Sequence, residues 1–283
     1  MQPVLTSPLA MALAKDTIFI QGILARSGTN YLHELLLLHP DCCTTGPVQE
    51  NFFLLSADHL GRYADAVAER WKPEWQLDAS IKASLLEGLG DGLIAFLDRQ
   101  RQLDPRNRGA RYRMVARTPH VGNLPWTFRL FPRARLIVLV RDGRDLVESF
   151  VRSFAADYPT VMQQWADAAK IIVDFERAHH GSGARYLIVR YEDLVTSTEA
   201  ELRRVLGFLG LDAERYDFAA ASAAPVIGSS TFRGGAPALH WAPVAKTADF
   251  NPLARALDWP ADRNAQFNSL AGDYLAHFGY SPR

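Results

Sequence analysis

Cysteine is nearly absent. The 283 residues hold only two, Cys42 and Cys43, and they are neighbours. A disulfide framework needs side chains that can face each other, and one vicinal pair staples nothing. Both are read as reduced, small and partly buried, which suits a reducing cytoplasm. Net charge is missing too: 31 Lys and Arg balance 31 Asp and Glu. No overall field therefore draws in nucleic acid or an anionic membrane, and any anion must be held by local placement of cations. Long apolar runs are also lacking, since nothing approaches the ~20 residues that span a bilayer. Residues 1–15 have neither the basic start nor the long apolar stretch of a secretory signal, and read as a short N-terminal arm.

What is present argues for a packed α/β chain. Hydrophobic residues make up 48% and charged residues 22%, enough for a sizeable core and too apolar for wholesale disorder. The length suits one domain over 1–283. Thr17-Ile-Phe-Ile-Gln predicts a buried strand, followed by the Gly-bounded loop Gly22-Ile-Leu-Ala-Arg-Ser-Gly28-Thr29 and a helix over 30–38 that His39-Pro40 ends. Helical texture fills 58–101, broken at Lys72-Pro73, before a strand over 112–116 and a helix to about 129. The run Arg135-Leu-Ile-Val-Leu-Val140 is the strongest strand, continuous and apolar as a buried parallel strand should be. Helices through 152 and over 160–179, a strand over 185–189 and a helix over 197–209 complete an alternation that predicts a parallel sheet covered on both faces. Beyond 211 the texture changes. Residues 219–250 are expected to form a long loop, with short helices near 250–257 and 261–277 closing the chain.

Two segments carry candidate chemistry. The Gly22–Gly28 loop lies between strand and helix, where backbone N–H groups and the helix dipole attract an anion. It resembles a P-loop, yet one extra residue separates the glycines and no Lys follows Gly28. The cation, Arg26, comes before Gly28 instead. Arg141 stands at the carboxyl end of the strongest strand, where α/β sheets bind ligands, and Ser149 follows eight residues later. An Arg offers a planar fork to phosphate and a Ser hydroxyl one neutral donor.

Arg26-Ser27-Gly28-Thr29 resembles the 5′-phosphosulfate loop of sulfotransferases that use 3′-phosphoadenosine 5′-phosphosulfate (PAPS). The unit strand–Arg141–x7–Ser149 is similar to their 3′-phosphate site, the feature that separates PAPS from ATP. The likeness covers roughly residues 17–210. Arg at position 26, with His39-Pro40 downstream, looks closer to the tyrosylprotein and bacterial branch than to the cytosolic one. It implies a P-loop-like three-layer fold with a central parallel sheet flanked by helices. It also implies that Arg26, Ser27, Gly28, Thr29 and Asn30 cradle the 5′-phosphate and sulfuryl oxygens. Tyr191, in Tyr191-Glu192-Asp193, would sit near the adenine. Arg233, in the loop over 229–235, would be a second 3′-phosphate ligand, and the loop 219–250 would cover the nucleotide or acceptor. The product, adenosine 3′,5′-bisphosphate, would stay bound at Arg26, Thr29, Arg141 and Ser149. No metal is required, because the donor carries no polyphosphate to neutralise.

The same resemblance offers two general bases. Glu50, in Pro47-Val-Gln-Glu50-Asn, matches the tyrosylprotein branch with a spacing about three residues longer. His120, in Arg117-Thr-Pro-His120, is displaced by one from the cytosolic branch's His, where Pro119 falls. Arg117 aligns with a Lys that contacts the transferring group. Two other readings stay open: a P-loop kinase of a small metabolite, and a nucleotide-binding module without turnover. The acceptor and the oligomeric state are not legible. Residues 51–110 and 219–250 are expected to shape the acceptor site, and six arginines over 99–113 read as a solvated face.

Overall fold

The computed structural model describes residues 17–107, 113–180, 185–227, 243–245, 251–253 and 255–281. Among them, five strands form a wholly parallel sheet in the order β2-β3-β1-β4-β5. They are β1 (Ile18–Gly22), β2 (Cys42–Thr44), β3 (Arg113–Thr118), β4 (Arg135–Val140) and β5 (Tyr186–Arg190). Side chains alternate across each strand, and both faces are dry. Phe19, Leu136, Val138 and Val140 enter one apolar cluster, while Ile18, Ile20, Ile137 and Leu139 enter the other. Strands covered on both sides need no polar face, which is why β1 and β4 read as unbroken apolar runs.

Helices cover the two faces. On one lie α1 (Thr29–Leu36) and α8 (Thr198–Leu209), through Leu32, Leu35, Leu202 and Val205. On the other lie α2 (Ala57–Ala68), α3 (Ala79–Arg101), α4 (Thr127–Leu130), α5 (Gly143–Phe154), α6 (Tyr158–His179) and α10 (Ala261–His277). Two short helices, α7 (Tyr191–Thr196) and α9 (Phe218–Ser222), complete the described set. None of the described helices is long and apolar enough to cross a membrane.

Strand order decides where a ligand binds. The chain leaves β1 for β2 at one edge, returns to β3, then crosses β1 to reach β4 and β5. Loops after β1 and β4 therefore part in opposite directions, leaving a crevice at their carboxyl ends. Arg26 and Arg141 both stand there.

Several expected boundaries shift. β2 is a strand of three residues, too short to show a period in the sequence. Residues 119–123 are not helical, and a 3₁₀ turn over Leu124–Trp126 leads into α4. Residues 219–222, expected in the long loop, belong to α9, and Val226 pairs with Val244 in an antiparallel bridge. Turns at 255–258 stand where a helix near 250–257 was expected. The arginines over 99–113 are not one solvated face. Arg101 pairs with Asp98, Arg106 with Asp104, and Arg113 donates to the carbonyl of Leu209, while Arg108 and Arg111 lie outside the described residues.

Candidate active site

The β1–α1 loop is held in a conformation that its residue types dictate. Arg26 (φ 76) and Gly28 (φ 100) are both left-handed. This alternation curls backbone N–H groups into an anion-binding concavity. Gly22 and Gly28 tolerate no side chain. A Cβ on Gly22 would stand 2.2 Å from Ser27 Oγ, and one on Gly28 would stand 2.4 Å from the Tyr191 ring. No side chain caps the N-terminus of α1, and its first turn carries no carboxylate, so its N–H groups and dipole face the crevice uncompensated. Ser27 Oγ is buried without a hydrogen-bond partner, which fits a group waiting for an anionic oxygen.

Replacing Gly28 by Ala is expected to cost about 1–2 kcal/mol from the left-handed backbone alone, before the clash with Tyr191. Thermal melting should show the loss. Gly88→Ala is the control, since Gly88 sits in α3 with nothing within 4 Å and should be neutral or stabilising.

Arg141 ties the crevice together. Its Nη1 donates to the carbonyl of Arg26 at 2.8 Å and its Nη2 to that of Pro252 at 2.6 Å. Its guanidinium lies 4.7 Å from the Tyr191 ring centre, and Tyr31 meets the same ring edge-on at 6.2 Å. Tyr191 is thus a buried bracket between the loop and Arg141. Ser149, fully buried on α5, accepts from Arg26 Nε at 3.4 Å, so the two sequence motifs touch directly.

These residues border a cavity of about 360 Å³. Arg26, Gly28, Thr29, Asn30, Arg141 and Tyr191 line it, with Tyr31, Val195, Thr198, Ser222, Val226, Ile227, Pro252 and Arg255. Among the described residues of this lining stand three arginines and no carboxylate. Arg255, which the sequence did not single out, shows the consequence: burial and then the nearby Arg141 push its guanidinium down to about 10. An anion in the cavity relieves that repulsion. Arg233 lies outside the described residues.

Glu50, Arg117 and His120 do not line this cavity; they sit one strand away, where β3 ends. The segment 49–52 continues the sheet there. Glu50 bridges Arg117 in parallel, and the backbone and side-chain N–H groups of Asn51 both donate to the carbonyl of Arg117, at 3.3 and 3.2 Å. Gln49 Oε1 accepts from Arg117 Nη2 at 3.2 Å, while Arg117 Nε is buried without a partner. In register, Arg117 pairs with Ile20 of β1, two residues before Gly22. Burial raises the Glu50 carboxyl above 4.5 and Arg117 opposes it; burial lowers the Arg117 guanidinium. His120 Nδ1 accepts from the Gly122 N–H at 2.7 Å, so in the neutral ring the proton sits on Nε2.

His33 of α1 is a buried neighbour of Arg117 that sequence reading passed over. It is 2% exposed, and its Nδ1 lies 3.0 Å from Glu34 Oε1. Burial pulls it down to about 4, against Glu34. Between pH 6.5 and 4 the unfolded chain binds a proton that the folded chain refuses. Stability should therefore fall as pH drops through that window, by about 1.4 kcal/mol per unit. Denaturant melts at pH 7 and 5 should show this fall, and His33→Gln should flatten most of it.

Comparison with known proteins agrees with this geometry. The sulfotransferase family model matches residues 17–215. The protein-tyrosine sulfotransferase of Drosophila melanogaster is 31% identical over 202 residues, 68% of this chain and 37% of its own. Protein-tyrosine sulfotransferase 2 of Gallus gallus is 25% identical over 205 residues, 69% of this chain and 51% of its own. The chain thus spans about a third to a half of the length of these two relatives. Among solved structures, the sulfotransferase domain of the Synechococcus PCC 7002 olefin synthase aligns with TM-score 0.53 and 24% identity, over 94% of this chain and 95% of that one. A sulfotransferase from Mycobacterium avium aligns with TM-score 0.54 and 15% identity, over 97% and 80%. At these identities the structural likeness is one of fold, the P-loop-like α/β sheet. With the family model matched from β1 to beyond α8, this chain belongs to the sulfotransferase family.

Proposed function

We propose that this chain transfers a sulfuryl group from PAPS to an acceptor hydroxyl, leaving adenosine 3′,5′-bisphosphate. The observation that carries the reading is the cavity at the β1/β4 crevice, with three arginines and no carboxylate among its described lining residues and a buried, unpartnered Ser27 hydroxyl beside it. Tyr31, Val195 and Val226 also line the cavity and suit a purine ring. In this reading Arg26 and the residues 27–30 hold the 5′-phosphosulfate. Arg141 and Ser149 hold the 3′-phosphate.

Glu50 takes the acceptor's proton as the S–O bond to the acceptor forms and the bond to the 5′-phosphate breaks. A carboxyl raised by burial is a better base than a free one. Arg117, buried and gripped by residues 49–51, is placed to stabilise charge on the sulfuryl oxygens. His120 is the weaker base, because its free acceptor nitrogen is already occupied by Gly122. Phe52 and Leu55, 42% and 43% exposed, border this end and suit an apolar or aromatic acceptor. The names of the relatives make a tyrosine-like phenol the first acceptor to assay. Cys42 and Cys43 are unpaired and buried, with burial pushing the Cys42 thiol up to about 12; such thiols suit the reducing cytoplasm in which we place the chain.

The test is calorimetric titration with adenosine 3′,5′-bisphosphate, and with ATP and Mg²⁺ in parallel. Micromolar binding of the bisphosphate and weak binding of ATP support the reading. The reverse order, with activity abolished by EDTA, would mean a kinase. Tight bisphosphate binding without turnover on any phenol or alcohol would mean a binding module.

A further inference from the structure

Arg255 reaches the cavity from the far end of the chain, and the contacts that bring it there follow a pattern. Residues 252–253 and 255–259 run alongside the start of α5 as a strap. Arg141 Nη2 donates to the Pro252 carbonyl (2.6 Å), the Ala256 N–H donates to Asp145 Oδ1 (3.1 Å), and Trp259 Nε1 donates to Glu148 Oε2 (2.7 Å). Each pair is separated by the same 111 residues. Strap and helix therefore advance in step, with anchors where β4 ends and on the first two turns of α5.

The anchors are buried: Asp145 is 2% exposed, Glu148 4% and Trp259 7%. Neither carboxylate lines the cavity. Buried carboxylates persist only when hydrogen-bonded, and Glu148 also accepts from Tyr158 OH at 2.8 Å and Arg152 Nε at 2.5 Å. Arg255 sits between the first two anchors, with its Nε donating to the Pro252 carbonyl at 3.3 Å. Ser149, next to Glu148 in the same helix, meets Arg26. One helix thus meets Arg26 of the cavity wall through a hydroxyl and fixes the strap that delivers a guanidinium to the cavity.

We propose that Asp145 and Glu148 are positioning residues of the donor site: they anchor the strap on α5, hold Arg255 at the cavity beside Arg141, and so set affinity for the donor's phosphates. This inference rests on the donor-site reading given above. It assigns a binding role to Arg255 and explains two carboxylates buried beside a site for a polyanion, where like charge would otherwise oppose binding. They act through the strap and face its N–H donors.

The experiment is calorimetric titration of the full chain with adenosine 3′,5′-bisphosphate. Its variants are Arg255→Ala, Glu148→Ala, Glu148→Gln, Trp259→Phe and the double variant Arg255→Ala/Glu148→Ala. Loss of one charge-assisted contact is about 10-fold in Kd. Arg255→Ala and Glu148→Ala should each show that loss. Glu148→Gln keeps an acceptor for Trp259 and Tyr158 and should stay within about threefold of wild type. The double variant should bind no more than about threefold worse than Arg255→Ala, because both changes remove the same contact. In assays Glu148→Ala and Trp259→Phe should raise the donor KM by a larger factor than they lower kcat, and Glu148→Gln should move neither by more than about threefold.

Trp259→Phe keeps the ring against Tyr158 and Phe267 while deleting the N–H, so it decides the matter if Glu148→Ala does not fold. Unchanged bisphosphate affinity in Trp259→Phe and Glu148→Ala, or losses that add fully in the double variant, would overturn the proposal. A wild-type chain that ignores the bisphosphate would instead overturn the donor-site reading itself.

Discussion

Glu50→Gln is expected to lower kcat by about 10²–10⁴, the range that a general base supplies, while bisphosphate affinity stays within about threefold. The two outcomes separate because Glu50 stands at the end of β3, one strand from the cavity, and does not line it. Gln keeps the shape of the side chain and the parallel bridge to Arg117, which is a backbone feature. Only the capacity to take a proton is lost. The pH profile gives an independent readout. Burial raises the Glu50 carboxyl above 4.5 despite Arg117, and the base acts when deprotonated. Activity should therefore rise with pH through an apparent pKa above 4.5, and Glu50→Gln should lose that acid limb along with most of the rate. A variant that retains kcat within about threefold would remove Glu50 from the mechanism and turn attention to His120.

Arg141→Ala is expected to weaken bisphosphate binding by about 10- to 150-fold, the equivalent of 1.5–3 kcal/mol for a charge-assisted contact. The side chain has two jobs. It presents a cation to the cavity, and it joins the carbonyls of Arg26 and Pro252, which come from opposite ends of the chain. Lys at this position restores the charge but cannot bridge both carbonyls with a planar fork, so Arg141→Lys should recover only part of the affinity. Adenosine 5′-monophosphate, lacking the 3′-group, should lose much less than the bisphosphate. Equal losses for the two nucleotides, measured by titration, would contradict the placing of the 3′-phosphate at Arg141.

The sequence points to Arg26, Arg141 and Glu50 as candidates, and the structure brings Arg26 and Arg141 to one cavity. Arg26 and Arg141 were visible because each follows a strand buried on both faces, whose unbroken apolar run marks the strand end without ambiguity. The glycines on either side of Arg26 are informative because they bound a turn between strand and helix; that a Cβ on Gly28 would collide with Tyr191 only the structure shows. The place of Glu50 after α1 suggests it as a candidate base, but its backbone bridge to Arg117 is not legible there. That contact joins residues 67 positions apart through a three-residue strand and an isolated bridge, and neither leaves a period in the sequence. Arg255 was missed entirely. It lies in a stretch without periodicity, and its surroundings were read as a short helix that the structure replaces with turns.

The sequence by itself determined the class of fold, the ends of β1 and β4 and the residue types of the loop, because strand burial, turn geometry and the anion preference of a helix N-terminus are local properties. Only the tertiary structure decided which cations share the cavity and which segment pairs with Arg117 at the end of β3. The strand order brings β3 against β1, and the strap follows α5 at a constant offset of 111 residues. Such neighbours are set by packing between distant segments, and nothing in the local sequence encodes them.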